Sequence, residues 1–451
     1  MTAQCPPQML PATLGRLAEG QSHGLRQRLT NLLEGRLLRN IFALYLGKFV
    51  NQLLPLAVIP FLSRVLGPSE WGRLAMAQAL AVWGIFVVQY GFQMSATRAV
   101  AQNRYRPEQL SAILTGVLGA QALLTTAFVI LALGLHFSVP AYRDMSLLLG
   151  CAVGYAILQA LTPTWYFTGQ ERITLVAGID AAVKLSTLVA IFMLVGGPAD
   201  GWKVMAIYGT AAGISAAVAF TLLLREVKLA RFSLRRAIQT LSGSASLGLL
   251  SVISTAMNAG TPVLLGVLLA PQQVAFFVAA EKLCRPLAYL LDPINTALMP
   301  RLSHLMRSAP GRARQLAGIS LLVVIAIATL LAIGIIAAAP SLVPLIFGQG
   351  YEAAIPVVRI LALMIPLEVA RIAIATQWLV PHGHDRWLIT CVMIGAVFYV
   401  GLALLVIPDY GIGGTAWVAV AHQGLVVTGL ALALWRCLPL VRRRPAEAVG
   451  T

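Results

Sequence analysis

Apolar residues in this chain come in long runs rather than in strict alternation. An α-helix rises about 1.5 Å per residue and a bilayer's hydrocarbon core is about 30 Å thick, so about 20 mostly apolar residues cross it. Runs at 40–62, 74–95, 111–135, 145–166, 173–195, 203–224, 243–267, 274–298, 316–339, 354–378, 387–407 and 413–435 predict twelve crossing helices. The runs 40–62 and 274–298 are the least apolar and carry charges. Turns such as Ala270-Pro271-Gln272-Gln273 and Pro408-Asp409-Tyr410-Gly411 are short, and no connection has room for a soluble catalytic domain. The predicted class is an all-α polytopic membrane protein without enzymatic activity.

Composition agrees. Of 451 residues 59% are hydrophobic and 11% charged, against about 25% charged in soluble domains. The net charge of +17 would suggest nucleic acid on a soluble chain. Here Lys and Arg gather between the apolar runs. With the N-terminus placed inside, 23 of the 33 basic residues fall on cytoplasmic segments, four (Arg64, Arg73, Arg143, Lys203) fall outside and six lie within spans. The positive-inside rule then puts both termini in the cytoplasm of a bacterial inner membrane. Residues 1–39 contain no signal-peptide core. Positions 25–39 mix Leu and Arg at near-helical spacing, which predicts a surface helix, and 1–24 are expected to have no fixed structure.

Soluble chemistry is absent from the motifs. Cys5, Cys151, Cys284, Cys391 and Cys437 have no metal or disulfide spacing, and His382 and His384 have no third ligand. There is no phosphate-binding loop for ATP. No metal and no cofactor is expected.

The two halves of the chain repeat. Residues 68–80 (PSEWGRLAMAQAL) overlay 271–283 (PQQVAFFVAAEKL) at an offset of 203, and Arg98 falls on Arg301 at the same offset. Trp165–Arg172 pairs with Trp378–Arg386, each after the fourth span of its half. The organisation read from this is a cytoplasmic segment 1–39, a six-helix lobe 40–224, a basic linker 225–240, a second pseudo-symmetric six-helix lobe 241–437 and a basic tail 438–451. Transporters built from such repeats bind substrate between the repeats.

Polar groups inside the spans mark the candidate site. Lys48, Asn51, Gln52 and Pro55 share one face of the first span, and Ser251, Ser254, Thr255 and Asn258 occupy the equivalent positions of the seventh. Such stripes line a wet cavity or bind helices together. The eighth span holds Glu281, Lys282, Arg285 and Asp292, the tenth Arg359, Glu368 and Arg371, and the fifth Asp180 and Lys184. Glu281–Arg285, Glu368–Arg371 and Asp180–Lys184 have pairing distances along a helix. Lys48, Lys282 and Arg359 have no partner in their own helices, and this excess of positive charge suits an anionic substrate. Candidate substrate contacts are therefore Lys48, Asn51, Gln52, Lys282, Arg285, Arg359 and Arg371. Candidate ion-coupling acids are Asp180, Glu281, Asp292 and Glu368.

Four stretches resemble a known family. Pro60-Phe-Leu-Ser-Arg-Val-Leu-Gly-Pro-Ser-Glu-Trp-Gly72 is similar to the turn R-x-L-G-x-x-x-[YFW]-G of the oligosaccharide flippases of polysaccharide biosynthesis. Gly91-Phe92 with Ala96-Thr-Arg-Ala-Val-Ala101, Pro163-Thr-Trp-Tyr-Phe-Thr-Gly-Gln-Glu171 and Tyr410-Gly-Ile-Gly-Gly-Thr-Ala416 resemble further motifs of that family. It belongs to the superfamily of multidrug, oligosaccharidyl-lipid and polysaccharide exporters. The resemblance implies twelve helices in two lobes around a central cavity. It implies translocation of an undecaprenyl-diphosphate-linked oligosaccharide, such as an O-antigen or exopolysaccharide repeat, to the periplasmic leaflet by alternating access. The expected partners are that lipid-linked substrate, membrane lipids, and a polysaccharide polymerase and chain-length regulator. A multidrug/cation antiporter of the same superfamily is the alternative, and it requires unpaired carboxylates in the N-terminal lobe.

Overall fold

The computed structural model describes residues 57–382 and 385–442. The chain divides into units Met1–Ala57 and Val58–Thr451, and the second is described below. The expected surface helix 25–39, most of the first span with Lys48, Asn51, Gln52 and Pro55, His384 and the end of the tail lie outside the described residues.

Every regular element is helical among the described residues. They are α1 (57–89), α2 (Phe92–Gln102), α3 (Pro107–Ser138), α4 (Pro140–Arg143), α5 (Ser146–Leu161), α6 (Thr164–Gly169), α7 (Ile173–Leu194), α8 (Gly201–Glu226), α9 (Leu234–Gly243), α10 (Ala245–Leu268), α11 (Pro271–Tyr289), α12 (Asp292–Ser308), α13 (Pro310–Phe347), α14 (Ala354–Ala362), α15 (Met364–Ile374) and α16 (Asp385–Arg442). Six stretches are long and apolar enough to cross a membrane: 57–102, 107–138, 146–169, 198–226, 310–347 and 386–436. Two of them turn at a glycine of positive φ. Gly67 has φ 72°, and Gly411 has φ 56° and ψ −141° within α16. A Cβ disfavours both conformations, so glycine supplies the bends that the sequence placed between runs.

The helices are inside-out relative to soluble ones. Along α13 the buried positions Ala313, Ala317, Ser320, Val324, Ala328 and Ala332 recur at helical spacing and are mostly small. Ile319, Leu322, Leu330 and Ile333 point outward and are more than half exposed. Small residues bring backbones close where lipid offers no hydrophobic drive between helices, and large ones meet the lipid. The same logic packs Ala152, Ala156 and Ala160 of α5 beside α8, which buries Ala212, Ala216 and Ala219.

Helices α2, α3 and α5–α8 pack among themselves, as do α11–α16. Helix α1 lies against both sets. Phe61 stacks 4.6 Å from Phe192 of α7. Met76, Trp83 and Tyr90, seven residues apart, face Gly266, Gly260 and Gly248 of α10. This large-on-small seam fixes the register of α1 against α10.

Several expected spans are broken. The run 74–95 ends its first helix at 89 and resumes at Phe92. The run 274–298 divides at Leu290–Leu291, and 354–378 becomes α14, α15 and a π-turn at Ala375–Leu379. At Pro163 the cause is plain. Proline has no N–H and turns the preceding Thr162 from helical geometry, so α6 starts anew there, whereas Pro293 sits in the first turn of α12, where no intrahelical N–H bond is lost. The linker 225–240 is likewise not a simple loop. Its second half joins α9, held on α3 by Ser111 donating to the Lys228 carbonyl and by the Ala230 N–H donating to the Thr115 hydroxyl at 3.0 Å.

Candidate functional site

A cavity of 260 Å³ lies among α10, α11, α14, α15 and α16. Its apolar wall includes Phe277, Ala288, Leu361, Ile365, Val392 and Val426, and its polar groups are Thr261, Glu281, Arg285, Tyr289, Glu368, Arg371, Tyr399, His422 and Gln423. On α11, the spacing of one helical turn lets Arg285 reach the Glu281 carboxylate at 3.0 Å. On α15, Arg371 donates from Nε to Glu368 Oε2 at 3.2 Å and from Nη2 to the other carboxylate oxygen. Gln423 of α16 also donates to Glu368. Thr261 of α10 and Tyr399 of α16 share a hydrogen bond of 2.6 Å. The His422 ring stands edge-on to Tyr399 at 5.5 Å, and its Nε2 has no hydrogen-bond partner among the described residues.

The structure thus gathers four predicted residues, Glu281, Arg285, Glu368 and Arg371, from two helices into one chamber. The charge differs from the expectation. Two arginines meet two carboxylates, so this chamber is balanced rather than cationic. It is also at the small end of ligand cavities. Lys282 lies on the same helix but does not line the chamber, and it has no hydrogen bond or ion pair among the described residues. Asp292 opens α12, where an acid favours the helix N-terminus. Asp180 falls on α7, away from the helices that enclose the chamber.

Arg359 is also elsewhere. It is exposed on α14, and its Nε donates to the Ile336 carbonyl of α13 at 3.4 Å. That carbonyl would otherwise accept from position 340, which is Pro340 and has no N–H. Arg359 therefore completes a helix interrupted by proline. Arg359→Ala is expected to cost about 1 kcal/mol of stability, as measured by thermal unfolding in detergent.

Thr261, Tyr399, His422 and Gln423 were missed in the sequence. The signal was present: His422-Gln423 interrupts an apolar run, and polar groups at membrane depth are functional candidates even when uncharged.

A second cluster surrounds the turn at Gly67. The rings of Trp71, Phe276 and Phe347 each lie within 6 Å of the buried Tyr351 ring, whose hydroxyl donates to the Ser63 carbonyl at 3.3 Å. Arg64 donates to the Leu345 carbonyl at the end of α13. A Cβ on Gly72 would lie 1.8 Å from the Pro271 carbonyl oxygen. The start of α11 is thereby clamped against α1. A third cluster joins α6 to α8: Tyr166 donates to Glu226 at 3.0 Å, and Arg172 pairs with the same carboxylate. In the loop after α2, hydrogen bonding to Glu171 raises the Arg104 guanidinium above its ordinary pKa.

The family described as polysaccharide biosynthesis protein matches residues 37–306, more than half of the chain. The chain belongs to this family. Two bacterial relatives carry the name "Putative O-antigen transporter". One, from Escherichia coli (strain K12), is 26% identical over 74% of this chain and 80% of its own length. The other, from Shigella dysenteriae, is 27% identical over 83% of this chain and 94% of its own. The fold is similar to the solved structure titled "Lipid II flippase MurJ, inward closed conformation", with a TM-score of 0.66, 11% identity and 87% of each chain covered. The protein is an all-helical, multi-pass membrane protein with a MurJ-like fold.

Proposed function

We propose that this protein is a flippase for an undecaprenyl-diphosphate-linked oligosaccharide, an O-antigen or related repeat unit, moving it from the cytoplasmic to the periplasmic leaflet. The observation that carries the reading is membership of the polysaccharide biosynthesis family, with relatives named as O-antigen transporters over most of their length. The chain works as twelve helices in two six-helix lobes, with both termini in the cytoplasm. The bends at Gly67 and Gly411 and the two sets of mutually packed helices support that division.

In this reading the two lobes rock against each other by alternating access. The cluster of Trp71, Phe276, Phe347 and Tyr351 seals the periplasmic side. The diphosphate meets Lys282 in a central cavity between the lobes. Arg285 and Arg371 are held by carboxylates, so they serve with Glu281 and Glu368 as the coupling element. Displacing a proton or cation there changes which helix contacts are favoured, and so biases the rocking. The polymerase and chain-length regulator receive the product on the periplasmic side.

Deletion in the native host tests this. Surface polysaccharide is expected to vanish while the undecaprenyl-diphosphate-linked repeat accumulates, inaccessible to periplasmic glycan-modifying enzymes, and the gene in trans restores both. Unchanged polysaccharide together with altered export of cationic drugs would replace the flippase reading with the antiporter.

A further inference from the structure

The segment between the two sets of helices has features that transport does not explain. Among the described helices α9 has the strongest separation of polar and apolar faces, and Ala237 is its one buried residue. Phe232, Leu234 and Ile238 are 64%, 52% and 52% exposed. Beside them stand exposed Lys228, Arg231 and Arg235. No acidic residue occurs between Glu226 and Glu281, and Glu226 is already engaged by Arg172 and Tyr166. These three cations have no ion pair among the described residues.

The fold sets the depth of α9. Helix α3 has 32 residues, about 48 Å at about 1.5 Å per residue, and so exceeds a hydrocarbon core of about 30 Å. Helix α9 packs on the first half of α3. Phe232 and Ala237 lie against Gly119, and Thr240 lies against Gly116. It joins α8 to α10 at their shared end. The segment therefore lies in the interfacial layer, with rings and branched chains toward acyl groups and cations at headgroup height.

We propose that this strip is a docking surface for anionic phospholipid headgroups. An array of cations with no ion pair among the described residues attracts a phosphate diester with a net negative charge, and the apolar triad seats the upper acyl carbons. Zwitterionic lipid matches the apolar triad but not the charge. The strap to Ser111 and Thr115 holds the cations in place, so bound lipid steadies the linker between the two halves of the chain. The inference rests on membrane residence and not on the flippase reading.

The full-length protein, purified in neutral detergent, would be titrated with phosphatidylglycerol or phosphatidylcholine and bound lipid counted by native mass spectrometry. The parent is expected to prefer phosphatidylglycerol, with a preference that falls as salt rises. Each charge removed should weaken that binding about fivefold, so Lys228→Gln/Arg231→Gln/Arg235→Gln should lose roughly a hundredfold with phosphatidylcholine binding unchanged. Phe232→Gln/Ile238→Gln should weaken both lipids. Arg312→Gln, an exposed cation on α13, should change little. If the triple variant does not fold, Arg235→Gln alone should show the fivefold loss. Undiminished phosphatidylglycerol binding in the variants, or an equal loss with Arg312→Gln, would overturn the proposal.

Discussion

Replacing Glu368 with alanine is expected to destabilise the protein by about 3–5 kcal/mol, the usual cost of leaving a buried charge without its partner. Glu368 receives two donors from Arg371 and one from Gln423, and its side chain is 14% exposed. Without it, Arg371 faces a chamber whose other carboxylate is bound to Arg285. The double variant Glu368→Ala/Arg371→Ala removes both charges and should recover most of the loss, as read by thermal unfolding in detergent. A double variant no more stable than the single one would show that the pair is not the relevant unit. Glu368→Gln probes transport at a smaller structural cost. It keeps the shape and an acceptor oxygen for Arg371 and Gln423 while removing the charge, so its loss of stability should be smaller than that of the alanine variant. If Glu368 carries the coupling charge, surface polysaccharide should nevertheless fail.

The second large effect is expected at Gly72. An added Cβ would lie 1.8 Å from the oxygen and 2.5 Å from the carbon of the Pro271 carbonyl. Both are backbone atoms, so no side-chain rotation relieves the clash and the start of α11 must move. Overpacking of this kind costs about 1–3 kcal/mol or more. The movement also parts the ring cluster of Trp71, Phe276, Phe347 and Tyr351. Gly72→Val should therefore lower both the unfolding temperature and the amount of surface polysaccharide. Gly134→Ala is the matched control. Nothing lies within 4 Å of that added Cβ, and alanine is the better helix former. Equal behaviour of the two variants would remove the clamp from the mechanism.

The family motif around Arg64, Gly67, Trp71 and Gly72 shows how far the sequence could be read. Its glycine and proline announced a turn, and the turn is there. The partners of its arginine and tryptophan, Leu345, Phe347 and Tyr351, are more than 270 residues away along the chain. Arg359 shows the converse. Counting charges per helix left it unpaired and assigned it to a cavity, whereas its partner is a backbone carbonyl released by Pro340 on another helix. The broken runs 274–298 and 354–378 were read as single spans because hydropathy sums apolarity and does not register a change of helix axis.

Apolar run length and residue spacing along the chain fix the environment and the local pairs. Long apolar runs decide that the chain lives in lipid, because backbone polar groups there must be satisfied within helices. Spacings of three and four residues decide that Arg285 reaches Glu281 and that Arg371 reaches Glu368, because one helical turn brings them onto the same side. Tertiary structure alone decided that α11 and α15 set these pairs into one chamber, that His422 and Gln423 enter it from α16, and that two arginines and two glutamates balance there. Helical periodicity fixes a side chain's angle about its own axis. It carries no information about which neighbouring helix stands at that angle, and the chemistry of the chamber depends on that neighbour.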